Sequence, residues 1–466
     1  MNRLLLKRIF IETTSPLAVH SGDREVGFDT QVCRDWNDLP YIPATSITGA
    51  WRAVILDLAD TDIQVNKWFG TLGGNAQHAS RITVSDALLL DEKSALSSDK
   101  LLLDSDKNGD KIYSIDISFN RDRCRITHRG TAANRGKFDV AVIPSGTRFS
   151  FDISVLVNND EEVAQFEKFV DVFSESGLRF GSNKTNGLGA FKIIHIKSTD
   201  VDLSKGGPAT EVAISEFRKY RCPVNLESGF EQHSNSYAEV AKLSLRGSDS
   251  WTIGNGSKAV AANNQDAKSF CYTENYLKWN NTTFNGFHRR AVVCGSMLKG
   301  VISHRIIYHF CKLSGINSDN KEFINEDLEL DLSNPLFIDL QKLFGFVKGK
   351  EAAASHLLVD EAVIGDVDTL STFIRAHNRI DYFTGGVLPS ALFSEERLYK
   401  PVMTFRILIK KSVLSQLSDK VRTAIFRTLC DLRDGFLPVA AGTGREASLL
   451  ESYDVNNCFV DDTLLQ

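Results

Sequence analysis

Apolar residues recur at helical spacing in four stretches of the chain. Ile47, Trp51, Val54 and Leu58 share one helical face, and Met297, Val301, Arg305 and Tyr308 run along one stripe of a second helix. Val163, Phe166, Val170 and Phe173 define a third helix, and Leu414, Leu417, Val421 and Ile425 a fourth. Between them lie strand-like runs at Val140–Ile143, Phe149–Val157, Leu243–Leu245 and Val402–Ile409. Each half of the chain therefore reads strand, helix, strands, helix, strand.

The halves also repeat in detail. Ile42-Pro-Ala-Thr-Ser-Ile-Thr-Gly-Ala-Trp-Arg52 is answered by Val293-Cys-Gly-Ser-Met-Leu-Lys-Gly-Val-Ile-Ser-His-Arg305. In both, a strand end passes through a small-residue turn into a helix bearing an arginine. Thr45 and Ser46 suit an N-cap in the first copy and Ser296 in the second. Trp68-Phe69-Gly70 then answers Leu343-Phe344-Gly345, and Val84-Ser85-Asp86-Ala87 answers Val359-Asp360-Glu361-Ala362. Thr131-Ala132-Ala133 answers Thr384-Gly385-Gly386. A glycine-rich turn ends each copy, Phe180–Gly189 and Ala441–Arg445. The offset shifts and returns along the chain, which places surface insertions near 90–115 and 314–336. A duplicated α+β protein follows, with two split βαβ, ferredoxin-like (RRM-like) modules. The first spans 1–205 and the second 239–466, joined by a polar, turn-rich linker at 206–238.

Composition changes little of this. The 466 residues are 42% hydrophobic and 24% charged, with a formal net charge of -5. An acidic body confines any nucleic-acid surface to a local basic patch. The eight cysteines show no C-x-x-C spacing, which argues against a zinc ribbon or a dithiol redox motif. The N-terminus is too short and too charged in its middle for a secretory signal, and no apolar run approaches membrane length. A reduced, cytoplasmic protein with no membrane partner is expected.

The paired motifs resemble the RAMP superfamily of CRISPR-associated proteins. The resemblance rests on Ser21-Gly22, Gly27-Phe28-Asp29, Tyr41-Ile-Pro-Ala-Thr-Ser-Ile-Thr-Gly49, Phe69-Gly70 and Ser85-Asp86-Ala87 in the first copy, over nearly all of 1–195. In the second copy, about 240–450, Cys294-Gly-Ser-Met-Leu-Lys-Gly300 is its best match. Two such modules in one chain are similar to the fused double backbone subunits of type III-D effectors. That resemblance implies two RAMP modules with inserted loops and thumb hairpins, gripping CRISPR guide RNA beside other type III effector subunits, including the large signalling subunit. It further implies cleavage of complementary target RNA by an Asp at a distorted step, with Mg²⁺ or another divalent cation.

Asp29 matches the family's catalytic position, and Asp266, in Asn263–Phe270, occupies the comparable loop of the second copy. Both are the candidate catalytic and metal-binding residues; a turn carboxylate is the competing reading. Asp23 and Asp35 read as loop charges, and Asp249 is the fallback for Asp266. Scission of RNA needs the 2′-hydroxyl, phosphorus and leaving oxygen in line, so a splayed nucleotide supplies much of the catalysis through orientation. A hydrated divalent ion on one carboxylate can neutralise the developing charge.

Ser46, Gly49 and Arg52, with their counterparts Ser296, Lys299, Gly300 and Arg305, lie at helix starts whose N–H groups suit phosphate. A capped helix with surface basics explains the same residues without RNA. Arg121, Arg123 and Arg125 alternate onto one face of an extended strand, continuing to Arg129, and suit a thumb or a backbone-tracking groove. A solvated charged strand is the alternative. Lys184 and Arg445 sit in the glycine-rich turns, where peptide N–H groups can approach phosphate, and Arg289 and Arg290 follow His288.

Spacing removes several decoys. Gly130–Phe138 is too long for a P-loop, and Asp104–Ile115 lacks the closing Glu of an EF-hand. No paired carboxylates of polymerase or cyclase type occur, so the chain is not itself the large signalling subunit. A non-catalytic RNA scaffold remains an alternative to the target-cleaving reading. A guide-processing endonuclease using a general base such as His128 remains another.

Overall fold

β1 (Arg3–Thr13) is apolar on both sides, and this sets the architecture of the first half. Leu5, Ile9 and Ile11 face one core, while Leu6 and Phe10 are buried on the opposite side. The computed structural model describes every residue except 1–2, 23–28, 59–61, 72–77, 95–100, 115, 128–129, 205, 224–225, 227–229, 255, 318–319, 324–330, 349–350, 441–447, 455–456 and 466.

β1 pairs antiparallel with β6 (Arg148–Val157) and β7 (Phe191–Asp202), and β6 pairs with β2 (Ile82–Val84) and β3 (Leu88–Leu89). The resulting order is β2-β6-β1-β7. α1 (Ala44–Leu58) and α4 (Asp160–Asp171) cover one face with Ile47, Trp51, Phe166 and Phe169. α2 (Asp62–Phe69) follows α1, and the short α3 (Asp104–Asn108) lies in the expected insertion. β4 (Phe119–Ile126) and β5 (Ala132–Val142) form a separate two-stranded hairpin.

The second half repeats this order. β8 (Tyr237–Gly247) lies between β18 (Leu450–Ser452) and β17 (Val402–Lys410), and β17 also pairs with β13 (Leu357–Val359). α6 (Gly295–Ser314) and α9 (Asp419–Arg433) cover this sheet with Leu298, Ile302, Ile306, Val421, Ile425 and Leu429. β14 (Ala362–Asp366) joins β17 to a long hairpin of β9 (Thr273–Asn280) and β10 (Thr283–Val293). A second free-standing hairpin, β15 (Thr372–His377) with β16 (Phe393–Leu398), occupies the chain position that β4–β5 holds in the first half. The remaining elements are α7 (Ile338–Phe344), the small pair β11 (Phe346–Lys348) and β12 (Glu351–Ala353), α8 (Lys411–Leu414), β19 (Phe459–Val460) against β8, and α10 (Asp462–Leu465).

The motif pairs occupy like places. Gly70 and Gly345 each close a helix at positive φ, 81° and 75°. An added Cβ at either would strike a backbone carbonyl of the returning chain, His78 or Ala353.

Three expectations change. The helix starts are not capped by Ser46 or Ser296: α1 begins at Ala44, whose N–H donates to Asp86 Oδ1 at 2.7 Å, and α6 begins at Gly295 after Cys294. The cap of α1 comes from a residue 42 positions away, which local sequence does not reveal. Next, the buried stripe of α6 is Leu298, Ile302, Ile306 and His309; the expected stripe of Met297, Val301, Arg305 and Tyr308 lies beside it, with Tyr308 49% exposed. Finally, the polar stretch between the sheets holds α5 (Pro208–Arg218). Phe217 of α5 packs on Leu6 and Val201, and Cys222 on Phe10 and Ile194, covering the second face of the first sheet.

The two halves interlock. The β9–β10 hairpin inserts Leu277 into the first core, its N–H donating to Ser145 O at 2.9 Å, while Trp279 Nε1–H donates to Gly146 O at 2.5 Å. Arg148 lies over the Trp279 ring at 4.1 Å.

Candidate functional site

The loop carrying Asp29 is docked on the second strand of the first hairpin. The Asp29 N–H donates to Asp139 Oδ1 at 3.1 Å, and the Asp139 N–H returns to Asp29 Oδ2 at 3.0 Å. Ala141 N–H donates to Thr30 Oγ1 at 2.8 Å, and His20 Nε2 lies 3.1 Å from Ala141 O. Asp29 is exposed, while Asp139 Oδ2 is buried without a hydrogen-bond partner among the described residues. Two carboxylates thus stand together at the base of β4–β5.

The loop carrying Asp266 is docked on the second strand of the other hairpin. Glu396 of β16, fully buried, accepts from Val260 N–H at 3.0 Å, Ala261 N–H at 3.1 Å and Asn264 Nδ2 at 3.0 Å. Ser394 Oγ–H donates to Asp266 O at 3.5 Å, and Lys268 N–H to Ser394 O at 2.9 Å. Arg289 donates to the Ala259 and Val260 carbonyls, so it braces this loop from β10. The Asp266 side chain is exposed. Each half therefore docks the loop of an exposed Asp on the second strand of a hairpin. Asp35 accepts from Asn37 and Leu39 N–H in a local turn, and Asp249 pairs with Lys400 at 3.1 Å.

Any cation held here would keep most of its water. Among the described residues no three His, Cys, Asp or Glu side chains gather. Asp29 with Asp139 offers a partial donor set that water and substrate phosphate would complete, which suits Mg²⁺ better than a cation needing a full protein shell.

The seam between the halves carries a second group of predicted residues. The glycine-rich turn holds a 3-10 turn, Lys184–Asn186, between two left-handed residues, Asn183 and Gly187. It packs against the α6 start so closely that a Cβ on Gly295 would strike Asn186 O. Lys299 Nζ donates to Thr185 Oγ1 at 2.9 Å, and Arg123 Nη1 to Asn183 Oδ1 at 2.9 Å. Burial pushes the Lys299 ammonium down to about 7. Lys184 is exposed beside it, Ser296 is half-buried, and Arg125 is exposed further along β4.

Other predicted residues are placed elsewhere. The face of Arg121, Arg123 and Arg125 turns into the seam at its first member: Arg121 is 2% exposed, ion-paired to Glu274 at 2.5 Å and to Glu361, both of the other half. Its charge is committed to two buried carboxylates. Arg290 donates to Ser145 Oγ at 2.7 Å under Tyr276, within the seam. Arg305 pairs with Asp431 at 2.6 Å, and Arg52 donates to Asn66 Oδ1 at 2.7 Å. Arg129, Arg445 and His128 lie outside the described residues. Sequence reasoning missed Asp139, Glu396 and the seam carboxylates Glu274, Asp360 and Glu361. Only the Ser85-Asp86/Asp360-Glu361 pairing, already visible as a repeat, signalled any of them.

Ser46 and Gly49 lie on the first turns of α1, and Gly300 on those of α6. An added Cβ at Gly49 or Gly300 meets no atom within 4 Å. A helical glycine facing open space costs stability with no packing reason. Gly49→Ala and Gly300→Ala each raise stability by about 0.5–1 kcal/mol, read as the denaturation midpoint. A loss on either substitution would mean that the free surface is occupied in the folded chain.

Residues 10–192 match the model of the RAMP superfamily, from the middle of β1 to the start of β7. This supports membership of that family for the first half, over the span in which its motifs were read. No curated protein matches the chain. Among the described residues no helix is long and apolar enough to cross a membrane.

Proposed function

We propose that this chain is a guide-RNA-binding backbone subunit of a type III CRISPR effector and cleaves complementary target RNA at one or both of its hairpin-based aspartates. It would comprise two ferredoxin-like RAMP modules, 1–205 and 239–466, in the fused arrangement resembling type III-D, and would work in the cytoplasm with the other effector subunits. The RAMP match of the first half and the repeated strand order support this reading. The observation that carries it is the duplicated placement of Asp29 and Asp266, each exposed on a loop pinned to the second strand of a hairpin.

A hairpin inserted into an RNA duplex unstacks one nucleotide, and the strand beside it can then reach the in-line geometry that stacked A-form denies. Asp29 stands at that base with its backbone and one carboxylate oxygen fixed by Asp139, so little reorientation is needed when RNA arrives. Mg²⁺ held by Asp29 and Asp139 would supply neutralisation of charge developing on the phosphate. The scaffold reading draws on the thin donor set around both aspartates.

Guide binding is tested at Lys299. A phosphate beside its ammonium restores the proton that burial disfavours, so binding takes up a proton once the pH exceeds about 7. RNA affinity of the wild-type chain therefore falls as pH rises above that point. Lys299→Met lowers affinity roughly 5- to 10-fold at pH 6.5, flattens this pH dependence and reduces the salt slope by about 0.7. The folded ammonium titrates below its unfolded value, so the residue costs stability below that value and the cost fades as pH rises from about 7. The same variant consequently melts higher at pH 7. An unaltered pH profile of RNA binding would remove Lys299 from the interface.

A further inference from the structure

The second face of the first sheet carries a cavity of about 630 Å³ that the RNA reading does not use. It opens between Trp36, the β2–β3 edge at Ser85 and Asp86, and the segment that follows α5. The wall is rigid. Arg8 spans it, donating to both Asp152 oxygens at 2.8 and 2.9 Å and to the carbonyls of Arg218 and Tyr220 at 3.2 and 2.9 Å. Tyr220 is held in turn by His195, whose Nε2 lies 2.8 Å from its hydroxyl, and Lys197 lies over its ring.

The rim differs in character from the wall. Arg218, Lys219 and Arg221 are all exposed, and none holds an ion pair among the described residues. Trp36 is 56% exposed at the mouth, whereas Trp51, Trp68 and Trp251 are buried at 0–2%. A large bare indole beside three unneutralised cations is the pairing that binds a flat ring bearing a phosphate: stacking holds the ring and the cations hold the anion. Ser85, Asp86, Ser150 and Asp152 also line the cavity, with both Asp152 oxygens held by Arg8 and Asp86 Oδ1 by the α1 start. A space of this size lies within the range that encloses a small-molecule ligand.

We propose that this cavity binds one nucleotide, with its base on Trp36 and its phosphate on Arg218, Lys219 and Arg221. The site lies on the opposite sheet face from α1 and α4 and does not depend on the guide-RNA reading. Free mononucleotides and the 5′-phosphorylated end of a strand share this chemistry.

Titrating the full chain with adenosine and uridine monophosphates, against inorganic phosphate at equal ionic strength, tests it through the exposed indole. Either nucleotide quenches Trp36 saturably; phosphate does not. In calorimetry Trp36→Phe retains affinity within about threefold, while Trp36→Ala and the Arg218→Glu/Arg221→Glu pair each lose at least about tenfold. A 5′-phosphorylated dinucleotide that binds as tightly as the monophosphate assigns a strand end; one that fails to bind assigns the free nucleotide. Non-saturable quenching, phosphate binding as tightly as nucleotide, or unchanged affinity in the folded arginine pair overturns the proposal. Lys299→Met leaves nucleotide binding intact, which separates this site from the seam.

Discussion

Asp29→Ala, in the ribonucleoprotein assembled with its guide, loses target cleavage at one position by roughly 10²- to 10³-fold while guide content and assembly stay unchanged. Removing a positioned acid–base or charge-bearing group costs on this order. The structural cost is small, because Asp29 is exposed and its one accepted bond, from Asp139 N–H, can pass to water. The two readouts therefore separate. Asp266→Ala removes a second cut in the same way, leaving the first product in place. Gel analysis of end-labelled target distinguishes the three outcomes. Full-length cutting at both positions in the double variant would leave the chain a scaffold. Asp139→Asn is informative beside them: it retains an acceptor for the Asp29 N–H but removes a charge, so it raises the Mg²⁺ concentration needed for half-maximal cleavage.

Where sequence anticipated structure, the signal was local geometry repeated twice. Phe69-Gly70 and Phe344-Gly345 could be matched because each glycine closes a helix against returning backbone, a requirement that leaves few alternatives. The faces of α1 and α4 were readable because one side of each helix meets one sheet. Sequence failed where the partner is distant. Alternation correctly separates the faces of β4, yet it cannot tell that Arg121 meets Glu274 and Glu361, 153 and 240 residues away. The same holds for Asp86 at the start of α1. The 206–238 stretch looked like a linker because its polar residues outnumber the few, Phe217 and Cys222 among them, that bury the second sheet face. Asp29 was singled out by its motif; the docking of its loop on Asp139 of β5 was not legible.

Arg121 carries the largest expected effect on stability. Its guanidinium is enclosed by two carboxylates, with Nε and Nη2 on Glu274 at 2.5 and 2.7 Å and Nη2 on Glu361 at 3.2 Å. Tyr272 donates to Glu274 at 2.6 Å from the same pocket. Arg121→Met leaves two buried acidic groups with Arg290 alone to offset them, which destabilises the fold by about 3–5 kcal/mol. Burial, with Glu274 alongside, already raises Glu361 above the ordinary carboxylate range in spite of Arg121 and Arg290. In that case the folded state binds more protons than the unfolded state above the unfolded carboxyl value, so stability falls as pH rises through the window. Removing Arg121 widens it. The variant should recover much of its melting temperature near pH 5 and lose it toward pH 8. Arg121→Met combined with Glu274→Gln and Glu361→Gln removes the charges together and returns stability to within about 1–2 kcal/mol of wild type at neutral pH. A single variant that melts like wild type at pH 8, or a triple variant no better than the single, would mean that packing and not charge holds this seam. The triad joins β4, at the root of one hairpin, to Glu361, the residue just before β14. Loosening it should therefore also release Lys299 from Thr185 and reduce guide retention, an effect the triple variant restores.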